Sequence, residues 1–179
     1  MSTRPATIVY IAQSLDGFIA RADGAIDWLP EPVDGEDYGW GEFIAGIDAI
    51  VMGRVTFEPV SGFDFWPYEG VPLTVLSTTM TAVPEHLHSK AEVSSLEPRA
   101  LLLHLAERGC KRVYVDGGKT IHSFMDLDLI DELVITTIPV LIGKGIPLFS
   151  SLERDIAWKH LSTEILAGGL VKTSYRRVS

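Results

Sequence analysis

The chain predicts an α/β fold: a mostly parallel central sheet with helices on both faces, closed by an antiparallel hairpin. Three observations point there. Apolar, β-branched runs alternate with stretches of helical periodicity, the order expected of strand–helix–strand units in a parallel sheet. The last two runs, 157–166 and 170–178, flank Ala167-Gly168-Gly169 and read as a hairpin instead. No repeat, low-complexity tract or linker interrupts the order, so residues 1–179 are expected to form a single domain.

Thr7-Ile8-Val9-Tyr10-Ile11-Ala12 opens the chain as a β-branched strand. After Gln13-Ser14-Leu15-Asp16-Gly17-Phe18-Ile19-Ala20 comes a loop rich in Asp, Gly and Pro that extends to Gly35, long enough for a lid or binding segment. It holds Ile26, Trp28 and Leu29, which a solvated linker would not need. A short helix is expected over 36–45 and a strand over 47–52. Gly53-Arg54-Val55-Thr56-Phe57-Glu58 then opens a helix that Pro59 keeps brief. A strand over 71–76 ends in Ser77-Thr78-Thr79, and 91–93 reads as a small strand. Glu97-Pro98 begins a helix with Leu101, Leu102, Leu105 and Ala106 on one face and Gly109 at its stop. Arg112-Val113-Tyr114-Val115-Asp116 is a strand, after which Ile121, Phe124 and Met125 recur at helical spacing. The strand before the hairpin covers 132–138 and is closed by Pro139.

With 46% hydrophobic and 22% charged residues, the chain is ordinary globular material, large enough to bury about 70% of its unfolded surface. No apolar run approaches the ~18 residues that would span a bilayer. Met1-Ser2-Thr3-Arg4-Pro5 leads into a strand without a signal-peptide core. The lone Cys110 cannot form an internal disulfide, which fits a reducing cytoplasm, and after Gly109 it reads as a packed thiol. A formal charge of -9 argues against nucleic acid and repels anionic ligands at long range. Any phosphate site must therefore be local, built from main-chain amides and a few basic residues, of which Arg54 and Lys119 are the candidates. The histidines, His86 and His88 included, have no matching carboxylate or cysteine cluster, so no metal site is expected.

Gly117-Gly118-Lys119-Thr120 lies where the 112–116 strand turns into a helix. Two glycines let the backbone take conformations closed to other residues, and the first amides of the helix suit a phosphate. The same pair can simply make a tight turn. Gly53-Arg54 also opens a helix: its guanidinium can fork onto a phosphate, with Thr56 adding a hydroxyl and an amide, or it can pair with Glu58. Ser77 and Thr78 can bond a second phosphate or a ribose, or serve as turn residues. All three segments follow the carboxyl end of a strand, where ligands bind in such sheets. They converge on one rim, and convergence tells more than any one of them.

Val51-Met52-Gly53-Arg54-Val55-Thr56-Phe57-Glu58, Val75-Leu76-Ser77-Thr78 and Val113-Tyr114-Val115-Asp116-Gly117-Gly118 resemble three cofactor-binding segments of dihydrofolate reductases, in the same order. Asp116-Gly117-Gly118, the run from Pro139 to Phe149 and Ser14-Leu15-Asp16-Gly17-Phe18-Ile19-Ala20 look closer to the reductase domain of bifunctional riboflavin-biosynthesis deaminase-reductases. The resemblance covers about 7–178 and implies a dihydrofolate-reductase-like fold, NADPH binding, hydride transfer and a homodimer. It sets Gly53 and Arg54 at the 2′-phosphate side of the adenosine, Thr56 near the pyrophosphate, and Ser77 and Thr78 at the adenine-ribose end. Gly117, Gly118, Lys119, Thr120 and Ile121 would hold the pyrophosphate, and the resemblance allows a cis Gly117–Gly118 bond. Ala12 and the Asp16-Gly17 region would approach the nicotinamide. Arg54 favours NADPH over NADH, since a 2′-phosphate offers it a dianionic partner.

For the substrate, the resemblance implies a pterin, a ribosylaminopyrimidine or another small heterocycle. Counting back without gaps from Gly53 places Asp37 where dihydrofolate reductases carry their pterin-binding carboxylate, with Glu36, Asp34 and Asp27 nearby. Asp37 can equally be a first-turn acid stabilised by the helix dipole. Asp116 is the rival acid, directly before the glycine pair. Trp28, in a Trp-Leu-Pro segment like that of the related lid, would line the nicotinamide pocket. Trp66, in Phe63-Asp64-Phe65-Trp66-Pro67-Tyr68, would either wall a flat heterocycle or serve as packing. The expected activity is an NADPH-dependent oxidoreductase; the alternative is a non-catalytic NADPH-binding sensor whose substrate side is degenerate.

Overall fold

The computed structural model describes residues 4–33 and 35–178; Asp34, one of the alternative acids, and Met1-Ser2-Thr3 lie outside the described residues. Strands β1 (Ala6–Ser14), β2 (Phe18–Ala20), β3 (Ala49–Gly53), β4 (Leu73–Leu76), β5 (Ala91–Ser94), β6 (Arg112–Asp116), β7 (Glu132–Ile138), β8 (Ile146–Pro147), β9 (Trp158–Leu166) and β10 (Leu170–Arg177) follow in chain order. Eight of them form one sheet, β5-β4-β3-β6-β1-β7-β10-β9, parallel from β5 to β7 and antiparallel through β10 and β9. β2 and β8 pair separately as a small antiparallel ribbon. This is the mostly parallel sheet, closing antiparallel hairpin included, that the residue pattern predicts.

Helices α1 (Trp40–Ala45) and α2 (Arg54–Ser61) cover one face of the sheet; α3 (Pro98–Glu107) and α4 (Gly118–Asp126) cover the other. Alternation along the strands assigns the two cores. Ile8, Ile50, Met52 and Tyr114 pack with Phe57 of α2, while Val9, Val51, Val113 and Val115 pack with Leu102 of α3 and Phe124 of α4. Ile50, Val51 and Met52 are all fully buried, as a strand covered on both faces requires. The direction of travel across the sheet reverses between the α1/α2 and α3/α4 crossovers, and the covered face reverses with it, as one crossover hand demands.

Several local expectations shift. The helix expected from residue 36 begins at Trp40, because Tyr38 (φ 54°) and Gly39 (φ 85°) are left-handed and cannot be helical. β2 and β8 have no counterpart in the pattern, being too short to show a period. No described peptide bond is cis, so of the two forms the resemblance allows the Gly117–Gly118 bond takes the trans one.

Candidate functional site

The register aligns the rim. Met52 lies beside Asp116 across β3 and β6, and Gly53 lies beside Leu76 across β3 and β4. Gly53-Arg54, Ser77 and Gly117 therefore leave the same edge of three adjacent strands. The two helix starts interlock. A Cβ on Gly53 would stand 2.9 Å from Thr120 Oγ1, and one on Gly117 would stand 2.2 Å from Thr56 Oγ1. Each helix thus lays a threonine over the other's glycine. Gly117 also has φ 89° and ψ 134°, a conformation essentially reserved for glycine.

Glycine at both N-caps leaves both first turns without a side-chain cap. The Ile121 amide is the first in α4 to close a bond, onto Gly117 O at 2.8 Å, so the Gly118, Lys119 and Thr120 amides have no intrahelical partner. Two such starts side by side, each at a positive dipole end, fit a pyrophosphate. Ile121 itself departs from expectation: its amide is used and its side chain is fully buried, so it supports the turn from the core.

β6 and β1 part at the carboxyl edge of the sheet. Their pairing stops at Ile8 and Tyr114, although β1 runs on beside β7 to Ser14. Strand order reverses here, the position at which open parallel sheets bind ligands. Asp116 stands at its edge, with Oδ1 accepting the Gly117 amide at 2.8 Å. The carboxyl keeps some accessible surface, but it is packed closely enough that burial raises its pKa, opposed by the Gly117 amide and the Tyr114 hydroxyl. Five aromatics line the same face. Tyr10 stacks on Phe43 at 4.3 Å, and Trp40 meets Tyr10, Tyr68 and Tyr114 at 5.8, 6.1 and 5.9 Å. Burial pushes the Tyr10 hydroxyl up to about 12, with the negative charges of Asp37 and Glu164 adding to the effect.

The family model of the RibD C-terminal domain matches residues 5–172. The chain belongs to the RibD C-terminal domain family. "Uncharacterized protein YwjB" of Bacillus subtilis (strain 168) is 36% identical over 152 residues, 83% of this chain and 85% of that protein. A crystal structure from Shewanella sp. PV-4, named "Putative riboflavin biosynthesis protein", is 40% identical, covers 97% of this chain and 99% of its own, and superposes with a TM-score of 0.90. Dihydrofolate reductase from Enterococcus faecalis, complexed with NADP(H), shares the fold over the whole of both chains at 14% identity and a TM-score of 0.69.

In this RibD-type domain the remaining candidates divide. Arg54 donates to Glu58 at 2.6 Å across one helical turn, an exposed pair that stabilises little and that a phosphate can displace. Ser77 Oγ accepts the Thr79 and Met80 amides at 3.2 and 3.0 Å, so it is chiefly a turn residue. Asp37 is an exposed cap: its oxygens accept the Gly39 and Gly41 amides at 2.8 and 2.9 Å, which hold its pKa low. A depressed, doubly bonded carboxylate is a poor proton donor, so the geometry of Asp37 favours its capping reading. Trp66 takes the packing alternative. It packs edge-on against Tyr68 at 5.6 Å and lines a depression with Pro72 and Lys90, just before the amino ends of β4 and β5, opposite the rim. Trp28 clusters with Ala12, Ile138 and Leu170, and its buried Nε1 has no partner among the described residues.

The segment around Asp16 and Gly17 is a clasp rather than a contact surface. Asp16 accepts the Ser14 hydroxyl at 2.6 Å and the Ile142 and Gly143 amides at 3.2 and 2.7 Å, joining the β1–β2 loop to the β7–β8 loop. The Leu148 amide donates to Gly17 O at 2.9 Å. Ile19 of β2 and Ile146 of β8 close over Gly118, where an added Cβ would meet both at 3.1 Å. Replacing Asp16 with Ala is expected to speed amide exchange at Ile142 and Gly143 while the main sheet stays protected, read by hydrogen–deuterium exchange. These bonds hold the Asp16 pKa low, the Ser14 hydroxyl foremost, so the clasp persists above the ordinary carboxylate pKa and loosens as pH falls through the depressed value.

The aromatic lining is what sequence reasoning missed. Trp40 and Phe43, three apart, were readable as one helix face. Tyr10, Tyr68 and Tyr114 come from separate segments, and nothing local announces that they meet.

Proposed function

We propose that this chain is a single-domain NADPH-dependent reductase acting on a small heterocycle, a pterin, a ribosylaminopyrimidine or a similar flat ring. The observation that carries this reading is the parting of β6 from β1, with two uncapped helix starts beside it and Asp116 at its edge. The NADP(H) described with the Enterococcus enzyme of the same fold supports the choice of cofactor. NADPH would supply the hydride. The first amides of α4 bind the pyrophosphate, and Arg54, released from Glu58, meets the 2′-phosphate. The β2–β8 ribbon and Trp28 exclude water, and the partly exposed aromatics offer the ring a wall. Asp116 holds a proton on Oδ2, the oxygen left free by the Gly117 amide, and delivers it to the reduced ring.

Calorimetry with NADPH and NADH tests the cofactor half. Replacing Arg54 with Ala is expected to weaken NADPH by roughly tenfold and leave NADH nearly unchanged, because a charge-assisted phosphate contact is lost. Replacing Lys119 with Ala is expected to weaken both, more so at low salt. Native-like affinity in both variants at low and high salt would rule out this placement. Tight NADPH binding without turnover on any heterocycle would favour the sensor reading.

A further inference from the structure

Among the ion pairs of the described residues, Lys172 is the least exposed cation, its side chain only 15% accessible. Lysines are seldom so covered without a purpose for the charge. Its position in the sheet is specific. Ala12, Thr136 and Lys172 are register neighbours on β1, β7 and β10, so their side chains share the face that carries Tyr10 and the aromatic wall. Lys172 Nζ donates to Tyr38 O at 3.4 Å, and the Tyr10 hydroxyl donates to the same carbonyl at 2.8 Å. Gly39 leaves the ammonium its room, since a Cβ there would stand 2.9 Å from Nζ.

The counter-charge is poorly matched to this burial. Glu164 approaches Nζ at 3.1 Å, but its side chain is 54% exposed, at the sheet edge. Asp37 lies near enough to feel the charge, yet both its oxygens are engaged by amides. An ammonium has three donors, and only two are used. A half-solvated glutamate is a partner that a better-placed anion can replace.

We propose that Lys172 reads an anionic oxygen on the substrate, with Glu164 standing in until the substrate arrives. Resting on the reductase reading above, this narrows the substrate class to flat heterocycles that bear a carboxylate or comparable anionic substituent. The ring lies along the aromatic wall and the anion meets Nζ.

Calorimetric titration of the NADP⁺-saturated protein with two matched pairs tests it: orotate against 6-methyluracil, and pterin-6-carboxylate against 6-methylpterin. The carboxylate of at least one pair is expected to bind roughly tenfold tighter, as a charge-assisted contact provides. Lys172→Met is expected to erase that preference and Lys172→Arg to keep most of it. Glu164→Gln is expected to tighten carboxylate binding, which a purely structural ion pair would not do. No preference in either pair, or a preference that survives Lys172→Met, overturns the proposal. NADP⁺ binding measured on the same samples separates the failures: its absence in the native protein defeats the reductase reading, whereas its presence without anion preference defeats only the role of Lys172.

Discussion

Replacing Gly117 with Ala is expected to weaken NADPH binding by about 100-fold or more, the largest loss of any single methyl addition at the rim. Two penalties coincide. The φ of 89° and ψ of 134° cost a non-glycine residue about 1–3 kcal/mol. The new Cβ would also fall 2.2 Å from Thr56 Oγ1, a separation that cannot persist. Relief requires either the β6–α4 turn or the first turn of α2 to move, and both turns are the ones proposed to hold the cofactor's phosphates. Thr56→Ala in the same chain removes the hydroxyl but not the backbone strain, so it is expected to restore part of the affinity. A double-mutant cycle by calorimetry measures that coupling, with circular dichroism verifying that the sheet survives. Additive effects of the two substitutions would show that the interlock does not shape the cofactor turn.

Replacing Asp116 with Asn is expected to lower turnover by about 10²–10⁴-fold while raising the melting temperature at pH 7. The amide oxygen keeps the bond from Gly117, so geometry is preserved and only the proton is lost. The stability gain follows from linkage. Burial raises the Asp116 pKa, so the native state holds its proton more tightly than the unfolded chain does. The resulting stability is complete below the ordinary carboxylate pKa and is lost as pH rises through the raised value. Asn does not titrate, so its advantage grows across that window and vanishes at lower pH. Thermal melts at several pH values, set beside a pH–rate profile of the native protein, test both halves. Native turnover should fall as pH rises past the raised carboxyl. Undiminished turnover in the variant would remove Asp116 from the proton path.

The sequence makes the rim legible because its signals are local. The Gly53 and Gly117 segments are each a few residues that end a strand and begin a helix, with the glycine at the junction itself. The match to the RibD C-terminal domain family spans residues 5–172, these segments among them. The acid was not legible in the same way. Asp37 and Asp116 are equally plausible in one dimension, and they separate only when Gly39 and Gly41 turn their amides onto one carboxylate while packing raises the pKa of the other. Trp66 illustrates the same difficulty. Its neighbours in the chain allow either an aromatic wall or packing, and the loop carries it to the amino ends of β4 and β5, against Tyr68.

By itself, then, the residue pattern determined the order of strands and helices, the closing hairpin and the location of the glycine turns that open α2 and α4. Those depend on periodicity and on backbone freedom at single positions, which neighbouring residues settle. Tertiary structure alone decided which acid is buried, that Tyr10, Trp40, Phe43, Tyr68 and Tyr114 form one wall, and that Lys172 lies two strands from Ala12 on the same face. Burial, charge environment and cross-strand neighbours arise from contacts between distant parts of the chain, and no local run of residues encodes them.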